Sequence, residues 1–127
     1  MLGRKTGNGF YKYEGKQTSP NESIENWRDS ANPPAMNADD LALRLVYLMV
    51  NEAARCLEEK VVASAEDADY GMILGTGFAP FRGGPLRFAD HFGSAEMVKA
   101  GDRHGAKFEP CDLLREHAAK GTRFYED

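Results

Sequence analysis

The chain has 127 residues, 42% hydrophobic and 28% charged, with a net charge of −4 from 16 Lys and Arg against 20 Asp and Glu. That length supports one well-buried domain core without cross-links, and the composition is that of a soluble globular domain, which excludes disorder throughout. The acidic balance gives no general attraction for polyanions, so neither nucleic acid nor an anionic membrane is an expected partner.

No apolar run approaches the ~20 residues that cross a bilayer, and Met1-Leu-Gly-Arg-Lys5 lacks the apolar core of a secretory signal. The chain therefore reads as intracellular and cytoplasmic. Cys56 and Cys111 have no metal-ligand spacing and read as reduced packing residues, and no metal site is expected.

The opening stretch Gly3 to Tyr13 joins glycine-rich turn chemistry to alternating aromatics, which predicts a bend and then a short extended piece that must lie against something else. From Glu14 to Asn37 the chain is polar, rich in Ser, Asn and Pro, and without periodicity, which predicts a linker with Trp27 as a partly exposed aromatic. Residues 1–37 thus form an extended N-terminal segment and linker, and residues 38–127 a helical domain.

Asn37, followed by Asp39 and Asp40, is a good helix start, and the helix continues to about Glu59. Arg44, Asn51, Glu52, Arg55, Glu58 and Glu59 gather on one polar stripe interrupted by Leu48, and the rest is apolar. An arc this wide predicts a central helix packed on several sides. Ser64 caps a second helix that stops at Gly75 and Gly77. The loop Gly77-Phe-Ala-Pro-Phe-Arg-Gly-Gly84 follows, and Pro85 opens a third helix to about Phe92. Ser94 caps a fourth to about His104, and Pro110 opens a fifth that ends at Lys120-Gly121. The expected fold is all-α, a bundle of about five helices around a long central one, preceded by the extended N-terminal segment.

Gly7-Asn-Gly9 lacks both the third glycine, since position 12 is Lys12, and a following helix, so it is no dinucleotide fingerprint. His91 and His117 each follow an acid in sequence, but neighbouring side chains on a helix point ~100° apart, so neither forms a catalytic pair that way, and His104 lies near a helix end. Arg82, Gly83, Gly84 and Pro85 allow two readings. Freed backbone amides beside an arginine and a helix start could bind an anion such as a CoA phosphate. The preferred reading is a packed corner, with Phe78 and Phe81 buried, Arg82 paired to an acid such as Glu52, and Asn51 and Glu52 satisfying backbone groups of the loop.

Three segments together carry a resemblance: Leu45 to Glu59; Ser64-x-Glu-Asp67 leading into Gly71-Met-Ile-Leu-Gly-Thr-Gly-Phe78; and Arg82-Gly-Gly-Pro-Leu86 with Asp90. They resemble the C-terminal helical domain of 3-hydroxyacyl-CoA dehydrogenases, as found in multifunctional fatty acid oxidation proteins. The opening Gly-Arg-Lys-Thr-Gly-x-Gly-Phe-Tyr is similar to the segment that closes the preceding domain there.

The resemblance implies a 6-phosphogluconate dehydrogenase C-terminal-like fold and a parent enzyme that oxidises a 3-hydroxyacyl-CoA with NAD in β-oxidation. The chain is similar to the second, non-catalytic copy of the helical domain, because its loop reads Phe-Arg-Gly-Gly-Pro. The catalytic copy carries an Asn before an Arg in its long helix, where this chain has Leu43 before Arg44, and the family's His-Glu pair belongs to the NAD-binding domain. Ala79 stands where that loop usually has proline.

Met1, so near an inter-domain segment, suggests a piece excised from a longer chain. No catalytic or cofactor-binding residue is expected here. The expected partners are the preceding dehydrogenase domains, with NAD bound by the parent and acyl-CoA met only through it. The alternative is a free-standing interaction or homodimerisation module.

Overall fold

The acceptor side chain of Asn37 takes the Asp40 amide at 2.8 Å and starts α1, Ala38–Glu58, a rod about 30 Å long. The structure, a computed structural model, describes residues 2–27 and 37–125. Helix α1 ends where Lys60 turns left-handed at φ 57°, while the Val61 amide closes onto the Cys56 carbonyl. Ser64 then accepts from the Asp67 amide and opens α2, Ala65–Thr76, which stops at left-handed Gly77. Helix α3, Pro85–Phe92, has proline in its first turn as expected. Helices α4, Ser94–Arg103, and α5, Asp112–Lys120, complete the bundle.

Ser94 does not cap α4. Gly93 holds the cap position and Ser94 is buried inside the first turn, because α3 and α4 adjoin with a single glycine between them. Likewise α5 begins two residues after Pro110, with Cys111 at the cap.

Helix α1 packs against α2, α3, α4 and α5, and Tyr47, Val50, Ala53 and Ala54 form the middle of the core with Leu86, Ala89, Met97 and Leu114. It is central, but its apolar arc is not wrapped all round. Leu41, Leu45 and Leu48 are 49%, 58% and 39% exposed, and exposed Glu52 continues their row at helical spacing. Asn51 leaves the polar stripe for the interior. At the α1–α4 crossing, a side-chain carbon on Gly101 would overlap Tyr47 Oη, so the two helices meet at van der Waals distance only because that residue is glycine.

The chain divides into two compact units, residues 1–35 and 36–127. In the first, Tyr11–Glu14 (β1) pairs antiparallel with Gln17–Pro20 (β2) across Gly15-Lys16, where Gly15 supplies the positive φ of a tight hairpin. The expected single extended piece is thus half of a hairpin, and its partner lies in the stretch read as linker. A 3-10 helix, Glu22–Trp27, follows. It is opened by buried Asn21, which accepts from the Ser23 amide and hydroxyl and donates to the Gly9 carbonyl. The polar pattern hid these elements because β2 is exposed along its whole length. Trp27 is exposed, and the proline-bearing part of the linker reading, 28–36, lies outside the described residues.

Candidate functional site

Helices α3, α4 and α5 begin without a capping side chain of their own, so each start leaves donors that must find acceptors elsewhere. For α3 the acceptor is Asp69, buried on α2. Its Oδ1 accepts from the Leu86 amide at 2.7 Å, and its Oδ2 from the Arg87 amide at 2.9 Å and the Tyr125 hydroxyl at 2.7 Å. A carboxylate at the positive end of a helix is held by the dipole as well as by the bonds. Burial, the bond to Asp69 and that residue's charge all push the Tyr125 phenol upward.

Gly84 makes this approach possible. Its φ is 109°, and a Cβ there would overlap the Asp69 side chain. Asp90 repeats the device on the segment after α5, accepting from the Phe124 and Tyr125 amides at 2.9 and 3.0 Å. Glu58 of α1 accepts from the Leu113 amide at 2.9 Å and so caps α5.

A second knot joins α1 to the α4–α5 connection. Tyr47 Oη donates to the Phe108 carbonyl at 2.8 Å, Asn51 Nδ2 donates to the Glu109 carbonyl at 2.9 Å, and Asn51 Oδ1 accepts from the Cys111 amide at 2.9 Å. Burial raises the Tyr47 phenol to about 12 and also lifts the Cys111 thiol. The Arg44 guanidinium covers the Phe108 ring at 4.4 Å.

These bonds correct the reading of the glycine loop. Asn51 does satisfy backbone groups, but those of Glu109 and Cys111 rather than of 77–84, and Glu52 is exposed. Phe78 is buried while Phe81 is 86% exposed. Arg82 does not pair with Glu52; it lies over the rings of Phe81 and Phe88. The Leu86 and Arg87 amides that might have met an anion are occupied by Asp69. Gly83 closes the turn before Gly84 at φ 79° and Pro85 is buried.

Sequence reasoning missed Asp69 and Tyr125, and it noted Asp90 only as part of the motif that follows Arg82-Gly-Gly-Pro, without its capping role. The available signal was a helix opening on Gly-Gly-Pro, which carries no acceptor of its own.

Among the described residues no group of three or more His, Cys, Asp or Glu could hold a metal ion. His91 is exposed, His104 leans on Phe108, and His117 lies against Phe124 with Nδ1 2.9 Å from Thr122 Oγ1. Beside the glycine loop lies a cleft of about 520 Å³ between Phe81, Arg82, Arg87, Phe88 and Tyr125.

No protein-family model matches the chain. It is 41% identical to the fatty acid oxidation complex subunit alpha of Vibrio vulnificus over 129 aligned positions, which take in 98% of this chain and 18% of that protein. The subunits of Vibrio parahaemolyticus and Shewanella loihica are 41% and 42% identical over 97% and 98% of the chain, again 18% of each relative. This chain is homologous to a C-terminal segment of the fatty acid oxidation complex alpha subunit.

The chain spans about a fifth of the length of these alpha subunits, and the match runs through both the hairpin unit and the bundle. The resemblance carried by the long helix and the Arg-Gly-Gly-Pro loop therefore holds at the level of the alpha subunit. Among the described residues no helix is long and apolar enough to cross a membrane.

Proposed function

We propose that this chain is a non-catalytic helical domain of an NAD-dependent 3-hydroxyacyl-CoA dehydrogenase, supporting the catalytic domains of a cytoplasmic alpha subunit in fatty acid β-oxidation. The observation that carries the reading is the match along 98% of the chain to proteins named for fatty acid oxidation. The geometry supports a supporting role. Asp69, Asp90, Asn51 and Tyr47 are all engaged in holding helix ends and connections.

The exposed row Leu41, Leu45 and Leu48 offers an apolar helix face for the preceding dehydrogenase domains to cover. NAD belongs to the parent in this reading. Gly7 closes a 3-10 turn and Gly9 leads into a strand, so these glycines do not present a helix N-terminus to a pyrophosphate.

The isolated chain, given NAD and a 3-hydroxyacyl-CoA and followed by NADH absorbance, should show no turnover. Rates of about 1 s⁻¹ or more would refute the supporting role. The same leucine row favours a second reading, a free-standing interaction or homodimerisation module. Light scattering separates the two: a tight dimer that Leu45→Glu converts to monomer supports the module, and a monomer that binds separately expressed preceding domains supports the buttress.

A further inference from the structure

The cleft between the glycine loop, α3 and the segment after α5 is built of cations lying on aromatic rings. Arg87 Cζ stands 3.6 Å from the Tyr125 ring centroid, and Arg82 Cζ stands 5.0 Å from that of Phe88 and 5.6 Å from that of Phe81. Stacking fixes a guanidinium's plane and leaves its N–H edge free to grip a planar or tetrahedral oxyanion with two parallel bonds. Among the described residues no carboxylate or carbonyl accepts from either side chain. Asp90 is the acid of the cleft, and both of its oxygens already accept backbone amides. Beside these cations Phe81 presents a ring that the bundle leaves almost bare. A volume of about 520 Å³ is in the range of sites for small organic ligands, roughly 300–1,000 Å³.

We propose that this cleft binds a small organic phosphate carrying a flat ring, a purine nucleotide in chemical class, with Arg82 and Arg87 holding the phosphates and Phe81 stacking on the base. The Leu86 and Arg87 amides at the α3 start take no part, since both are committed to Asp69. The site does not depend on the supporting role argued above.

Titration of the whole chain with ADP by calorimetry tests it, with inorganic pyrophosphate and adenosine as separate arms. ADP should bind saturably and more tightly than either, and more weakly as salt is raised. Arg82→Ala should weaken ADP at least about tenfold, the loss of one charge-assisted pair. Phe81→Ala should weaken ADP but leave pyrophosphate unchanged. Both side chains are exposed, so both variants should melt with the parent. No saturation by millimolar ADP overturns the proposal, as does an Arg82→Ala variant that binds ADP as the parent does. Equal affinity for ADP and pyrophosphate overturns the assignment of the ring to Phe81.

Discussion

Replacing Asp69 with alanine tests the physical account of the bundle most sharply. The substitution removes the acceptor of three donors at once. Leu86 is fully buried and Tyr125 nearly so, whereas water can reach Arg87. A buried donor left without a partner costs about 1–3 kcal/mol, so the Leu86 amide and the Tyr125 hydroxyl together imply a loss of about 2–6 kcal/mol. At 4–8 °C per kcal/mol for a domain this size, the melting temperature should fall by at least about 8 °C. Circular dichroism at 222 nm reads it directly. Tyr125→Phe keeps the ring under Arg87 and drops only the hydroxyl, so it should cost about 1 kcal/mol. Exposed Glu52→Ala, the control, should stay within about 0.5 kcal/mol of the parent. An Asp69→Ala protein that melts with the control would show that the carboxylate is not what holds α3 and the following segment, and the argument from uncapped helix starts would fail.

Asn51→Ala should lower stability by about 2–3 kcal/mol in urea unfolding, because the Glu109 carbonyl and Cys111 amide lose their partners together. An Asn51→Ala midpoint equal to that of the parent would count against the knot. In alkali, the Tyr47 phenol titrates near 10 in the unfolded chain and about 12 in the fold, so its contribution is complete below pH 10 and is lost as pH rises through 12. Tyr125, also raised, acts with the same sign. Urea midpoints measured at pH 8, 10 and 11 should fall with pH, and Tyr47→Phe should flatten that fall; a flat profile in the parent would contradict it.

Much of the bundle was legible because the signals are local. Asn37 and Ser64 bond to amides three residues on, Gly77 and Gly121 end helices by their own φ, and Pro85 needs no donor. What the sequence concealed joins residues far apart. Asp69 meets Leu86 17 residues on and Tyr125 56 on, and Asn51 meets Cys111 60 on. No periodicity records such a bond, and Asp69 lies unmarked beside two ordinary helix-start acids. The hairpin was missed for another reason: an exposed strand such as β2 has no buried face to impose alternation. Phe81 shows the converse error, an aromatic assumed to be inside because its neighbour Phe78 is.

The pairing of Asp69 with Gly84 also constrains how such chains can drift. Any side chain at position 84 invades the volume of residue 69, and without the Asp69 carboxylate the Leu86 and Arg87 amides lose their acceptor. Neither position can be exchanged alone without undoing the start of a helix. Descendants should inherit the two as a unit, or replace both in one episode that rebuilds the corner.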